Sequence, residues 1–256
     1  MTFNERDFTV KKYVELCEAI LSSGYTPITL GEYFSGAAPR RFILMRHDVD
    51  TSPMNSVRIA EIESRMGIKA SYYFRPNRST FRSRAIEKVG ELGHEVGYHY
   101  EVLSKCRGDY EKAIGLFGRE LASLRALADV RTICMHGVPL SPFVNSDLWK
   151  AYDFRDYGIV GDAYLSVGND LDYFSDSGRS WSPGIKIKDI LPSITGASIK
   201  NTDDLIRLIE KRASDRIYVL SHPDEWAAGR LEWNAIRLRE SLFNAGKRAI
   251  RAVRSA

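Results

Sequence analysis

Little in this 256-residue chain invites an extracellular or membrane-spanning reading. Cysteine is scarce, and Cys17, Cys106 and Cys134 form neither an even set nor a C-x-x-C pair, which argues against a disulfide framework. No apolar run approaches the roughly 18 residues that a spanning helix needs. The opening stretch, MTFNERDFTV, has neither a basic n-region nor an apolar h-region, so no secretory signal is expected. Low-complexity tracts, long linkers and short repeats are missing too. The expectation is one domain over residues 1–256, reduced and cytoplasmic. Charge of one sign is also modest, at net +4. Part of the excess lies in Lys247, Arg248, Arg251 and Arg254 and reads as a solvated helix face, so no nucleic-acid partner is expected.

What is present is an ordinary globular composition, 44% hydrophobic and 27% charged, in a chain long enough to bury a substantial core. Strand and helix patterns alternate. A helix at about 8–23 carries Val10, Tyr13, Val14, Cys17, Ile20 and Leu21 on an apolar stripe. Strands are expected at 42–47, 69–74, 94–100, 130–136 and 216–222. Helices are expected at 54–67, 84–93, from 110 to about 127, at 146–154, after a Thr202 cap, and at about 231–252. Residues 158–200 read as strand and loop. Such repeats imply a parallel sheet, and about seven units suit a closed barrel better than an open sheet. In either, functional groups gather at the carboxyl ends of the strands.

The chemistry begins at FILMRHDVD, residues 42–50. An apolar strand from Phe42 to Met45 runs straight into Arg46, His47, Asp48 and Asp50, and a fold tolerates that much buried charge only where something compensates it. Alternation puts Asp48 and Asp50 on one face and His47 on the other. Two neighbouring carboxylates repel unless a cation or a shared proton relieves them. Four of the five histidines, His47, His99, His136 and His222, also end expected strands, where they would converge on one mouth. His94 starts its strand, roughly 16 Å from His99 at about 3.3 Å per residue, and reads as structural. Carboxylate plus imidazole ligands suit zinc or another first-row divalent ion better than magnesium or calcium.

These residues resemble the motifs of the polysaccharide deacetylases, the NodB-homology or carbohydrate esterase family four, over about residues 42–226. RHDVD resembles the first motif, which implies Asp48 as catalytic base and Asp50 as metal ligand. GHEVGYH, 93–99, resembles the lead into the second, which implies His99 as a ligand. YVLSHPDEW resembles the last, which implies His222 as general acid. The fold implied is a distorted (β/α)7-type barrel, and the cofactor one divalent ion, zinc being expected. The second histidine of motif two is replaced by Leu103, and the arginine loop of motif three by MHGVPLSP. We therefore expect His136 to supply the missing ligand, with Glu101 and His47 as weaker substitutes. Asp176, Arg179 and Trp181, in YFSDSGRSW, are expected to orient His222 and line a sugar site.

The activity implied is hydrolysis of an N-acyl group, acetyl or formyl, from an amino sugar. Tyr73, Tyr98 and Trp226 are candidates for stacking on the sugar. Arg46 and Arg75 could clamp a substrate phosphate or carboxylate, or pair with the acidic cluster, which suits Arg46 beside Asp48. A small-molecule, nucleotide-linked or lipid-linked amino sugar is the expected partner. Two other readings remain open: a barrel that binds carbohydrate without turning it over, and a metal hydrolase of other amides such as ureides.

Overall fold

The computed structural model describes residues 6–138, 141–181 and 198–254. The charged strand is its centre: β2 (Phe42–Val49) is buried along its whole length and has neighbours on both sides. Eight strands form one sheet, including β1 (Thr26–Ile28), β3 (Ser71–Phe74), β4 (Glu95–Tyr100), β5 (Thr132–Met135), β6 (Gly161–Asp162), β7 (Asp172–Ser175) and β8 (Arg216–Ser221). Their order is β6-β5-β4-β3-β2-β8-β7, and all pairs are parallel. β1 lies beside the first half of β2, before β3 begins to pair at Arg46.

Helices α1 (Val10–Ser22), α2 (Leu30–Phe34), α3 (Pro53–Arg65), α4 (Ser83–Glu91), α5 (Val102–Lys105), α6 (Tyr110–Arg125), α7 (Thr202–Glu210) and α8 (Arg230–Arg254) alternate with the strands. The sheet curls into a half-barrel of the (β/α)7 kind. Across its inside, the Tyr218 hydroxyl of β8 donates to the Ala163 carbonyl just past β6 (3.1 Å). No pairing joins β6 to β7 among the described residues, so the barrel stays open there rather than closed.

Two expected elements differ. Residues 146–154 form 3-10 turns at Asn145–Lys150 and Phe154–Tyr157 instead of a helix. Asn201, not Thr202, caps α7: its side chain accepts from the Asp204 amide, while the Thr202 hydroxyl is held by Asp7 and Trp181.

Alternation separates two polar populations. Inside the curl, Arg46, Asp48, Tyr73, Gly97, Cys134 and Tyr218 share the inner face. Gly97 is needed there because a Cβ would sit 2.3 Å from the Tyr73 ring. Outside, under α1 and α3, the buried Glu63 carboxylate binds His47 (2.8 Å), Tyr72 (2.5 Å) and Tyr13. His94 belongs to this outer layer, with Nε2 2.9 Å from the Ala60 carbonyl. The same layer removes His47 as a substitute ligand, because its ring is fully buried on the wrong side of the sheet.

Candidate metal and catalytic centre

Register builds the centre layer by layer. Arg46 lies opposite Ser71 of β3, and Asp48 opposite Tyr73, which is itself opposite Gly97 of β4. One step higher, His99 lies opposite Cys134 of β5. Period-two alternation therefore carries Asp50, Arg75, His99 and His136 to the top of the inner face. His136 Nδ1 is 3.2 Å from Asp50 Oδ1 and 3.1 Å from His99 Nε2. His99 Nε2 is 3.6 Å from the same Asp50 oxygen. Ligand atoms of all three lie within 4.8 Å of one another.

The donor set fits a divalent ion. Among the described residues the buried Asp50 Oδ1 has no hydrogen-bond partner, and the Arg75 guanidinium faces it only from 3.8 Å, so a cation held closer would offset the cost of its burial. His99 Nδ1 lies 3.1 Å from the Cys134 carbonyl, so it is the protonated nitrogen and leaves the Nε2 lone pair directed at Asp50. Burial, with His136 and Arg46 nearby, holds the His99 pKa down at about 4 against the pull of Asp48 and Asp50. A neutral imidazole is the ligating form. Burial alone would raise the Asp50 carboxyl, but His136, His99 and His222 hold it well below the usual carboxylate range.

Asp48 is held differently. Arg46 grips both its oxygens, Nε to Oδ1 at 2.9 Å and Nη2 to Oδ2 at 2.6 Å. The guanidinium is itself fully buried and also donates to the Tyr218 (3.2 Å) and Tyr164 (3.0 Å) hydroxyls. Burial is outweighed by Arg46 and His99, so Asp48 stays ionised. Arg46 is thus a partner of Asp48, and does not reach a substrate from 0% exposure.

Opposite lies His222, just past β8. Its Nδ1 is 2.6 Å from Asp176 Oδ1, at the end of the neighbouring β7, and its Nε2 is 3.9 Å from Asp50 Oδ2. Asp176 is fully buried and also accepts from Ser221 Oγ (2.9 Å) and Trp226 Nε1 (3.2 Å). Burial disfavours the imidazolium, but Asp176, with Asp50 and Asp48, overrides it and pushes the His222 pKa up to about 10. Folding therefore favours the proton on His222. In the chelator-treated protein this contribution is full below the unfolded value of about 6.5 and fades as pH rises towards 10. Asp176→Asn is expected to bring the His222 NMR titration down towards 6.5 and to flatten the stability loss over that window. An unmoved titration would show that Asp176 does not hold the proton.

Arg75 also stands in the mouth, 2.7 Å from Glu101 Oε2 and 3.8 Å from Asp50 Oδ1. Five aromatic and cationic candidates do not. Tyr98 points outward and is buried, its hydroxyl donating to Glu120 (2.5 Å). Trp181 packs on Phe8 and donates to Thr202 Oγ1 (3.0 Å). Arg179 stacks on Trp233 and donates to its carbonyl (3.1 Å). Trp226 is buried beneath Asp176, where it supports the carboxylate instead of lining a sugar site. Tyr73, fully buried under Gly97, is likewise a filler of the curl. Leu103 is buried in α5, as a residue without ligand atoms can be.

One residue escaped the sequence reading. Cys134 brings its sulfur within 4.8 Å of ligand atoms of Asp48 and His99. Its signal was present, since alternation puts Cys134 and His136 on one face. Burial pushes its thiol well above the ordinary value, and Arg46 already occupies both oxygens of Asp48.

No protein-family model and no curated protein matches the chain. Among solved structures it is similar to a CE4 family pseudoenzyme from Bacillus anthracis, at 14% identity over 79% of this chain and 61% of the other, with a TM-score of 0.48. This chain thus spans about three-fifths of that protein's length. A CE4 esterase from Streptococcus mutans is similar at 13% identity over 92% and 90% of the two chains, with a TM-score of 0.47. A family 4 carbohydrate esterase from Bacillus anthracis is similar at 11% identity over 94% and 90%, with a TM-score of 0.40.

Proposed function

We propose that the protein is a metal-dependent hydrolase that removes an N-acyl group from an amino-sugar-containing substrate. The observation that carries this is the convergence of Asp50, His99 and His136 beside an ionised Asp48 and facing a protonated His222. Asp50, His99 and His136 would hold one divalent ion, with zinc the best match to one carboxylate and two imidazoles. When bound, that ion would supply Lewis-acid polarisation of the acyl carbonyl and charge neutralisation at its oxygen.

The chain's own groups supply the proton transfers. Asp48 takes a proton from the attacking water as the water oxygen bonds to the acyl carbon. The C–N bond then breaks, its electron pair goes to nitrogen, and His222 Nε2 protonates the departing amine. Asp176 positions His222 by fixing Nδ1, which leaves Nε2 towards the mouth. Products are an amino sugar and acetate or formate.

The test combines ion content with product release. Purified protein is expected to carry one zinc per chain and to release acetate from an N-acetylated amino sugar. His99→Ala and His136→Ala are each expected to empty the site and stop release. An ion retained by His136→Ala would remove His136 from the ligand set. One observation favours the non-catalytic alternative: the bidentate grip of Arg46 weakens Asp48 as a base. Zinc without acetate release from any N-acylated sugar would establish that alternative.

A further inference from the structure

A groove of about 530 Å³ lies beside the mouth, between the loop that follows β3 and the outer face of α6. Three arginines line it, Arg78 and Arg82 from the loop and Arg119 from α6. All three residues are exposed, and among the described residues none forms an ion pair. The one acid in the lining, Glu120, is already satisfied: Oε2 accepts from Tyr98 and Oε1 pairs with Lys105 at 2.8 Å. The groove therefore keeps a strong positive excess. Phe81, half-buried, gives it one apolar wall.

The groove adjoins the candidate centre. Lys105 Nζ lies 2.8 Å from Glu120 in the groove and 3.4 Å from Glu101 in the mouth, and Glu101 holds Arg75 beside Asp50. Only two residues separate Arg75 from Arg78, so their backbones are at most about 11 Å apart. A ligand of two or three linked rings and phosphates could occupy both places at once.

We propose that this groove is a phosphate subsite: it binds the phosphate or diphosphate of a ligand whose N-acylated sugar enters the mouth. Forked guanidinium groups arriving from two elements match phosphate oxygens better than point charges do. A planar base or an apolar chain next to the phosphate would meet Phe81. Nucleoside-linked and lipid-linked diphosphates share this chemistry. The assignment of the ligand as substrate rests on the function proposed above; binding of the phosphate does not.

The test is fluorescence anisotropy on the full-length, zinc-loaded protein with N-methylanthraniloyl adenosine diphosphate as probe. Replacing all three arginines by Gln is expected to weaken probe binding at least about tenfold, since each charge-assisted contact contributes that order. The Arg→Lys triple variant, which keeps charge but loses the fork, is expected to fall between. Asp50→Asn is expected to leave probe affinity unchanged, which separates failure of this subsite from failure of the hydrolase. Displacement by uridine diphosphate N-acetylglucosamine identifies a nucleotide-linked ligand; displacement by polyprenyl diphosphate in detergent micelles identifies a lipid-linked one. Equal affinity in wild type and the Gln variant, or equal displacement by sulfate, overturns the proposal.

Discussion

Asp48→Asn is expected to lower kcat on an N-acetylated amino sugar by about 100- to 10,000-fold, the usual worth of a general base, while zinc content stays at the wild-type level. The amide keeps the shape of the carboxylate but cannot accept the water proton. The ion should survive because the proposed ligand atoms belong to Asp50, His99 and His136, two residues higher on the inner face. Some stability will be lost, since Asn offers one acceptor where Arg46 now grips two oxygens. Turnover and zinc per chain, measured on the same preparation, separate the roles. A wild-type rate rules out Asp48 as base, and joint loss of rate and zinc makes it a ligand.

Arg46→Met should be the most destabilising single change at the centre, by about 3–5 kcal/mol in urea unfolding at unchanged m. Methionine fills much of the same space, so packing is not the main loss. The cost comes from Asp48, left buried without a counter-charge, and from the Tyr218 and Tyr164 hydroxyls, which each lose a partner. Asp48 would respond by taking up a proton, so its pKa should rise and any turnover should fall with it. Adding Asp48→Leu should then recover much of the stability, because a buried pair replaced as a unit by apolar groups is often neutral. The double variant would be stable and inactive. If Arg46→Met unfolds no more easily than wild type, the pair does not carry this charge burial.

Both expectations trace to FILMRHDVD, and the comparison between chain and fold is sharpest there. Strand β2, its place in a parallel sheet, and the shared face of Asp48 and Asp50 follow from apolar runs and a period of two. His94 was separable from the mouth by the length of its own strand. The aromatic candidates failed for a common reason. Tyr73, Tyr98, Trp181 and Trp226 each combine a large apolar body with one polar atom, and such a side chain can be buried wherever a partner reaches that atom. For Tyr73, Tyr98 and Trp181 the partners are Thr132, Glu120 and Thr202, each remote in sequence from the residue it satisfies, whereas Trp226 has Ser221 close by at 2.7 Å as well as the distant Asp176.

By itself the sequence determined the alternation of strands and helices, the shared face of Asp48 and Asp50, and the end of the sheet where most of the histidines collect. These depend on backbone periodicity, which acts over a few residues. Only the tertiary structure decided which of those residues meet. Asp176 and His222, 46 residues apart, pair because β7 and β8 are neighbours, and Asp50, His99 and His136 converge because the registers of β2 to β5 agree and the sheet curls. Register and curl are set by packing over the whole barrel, and that information is spread too widely along the chain to be read from any one segment.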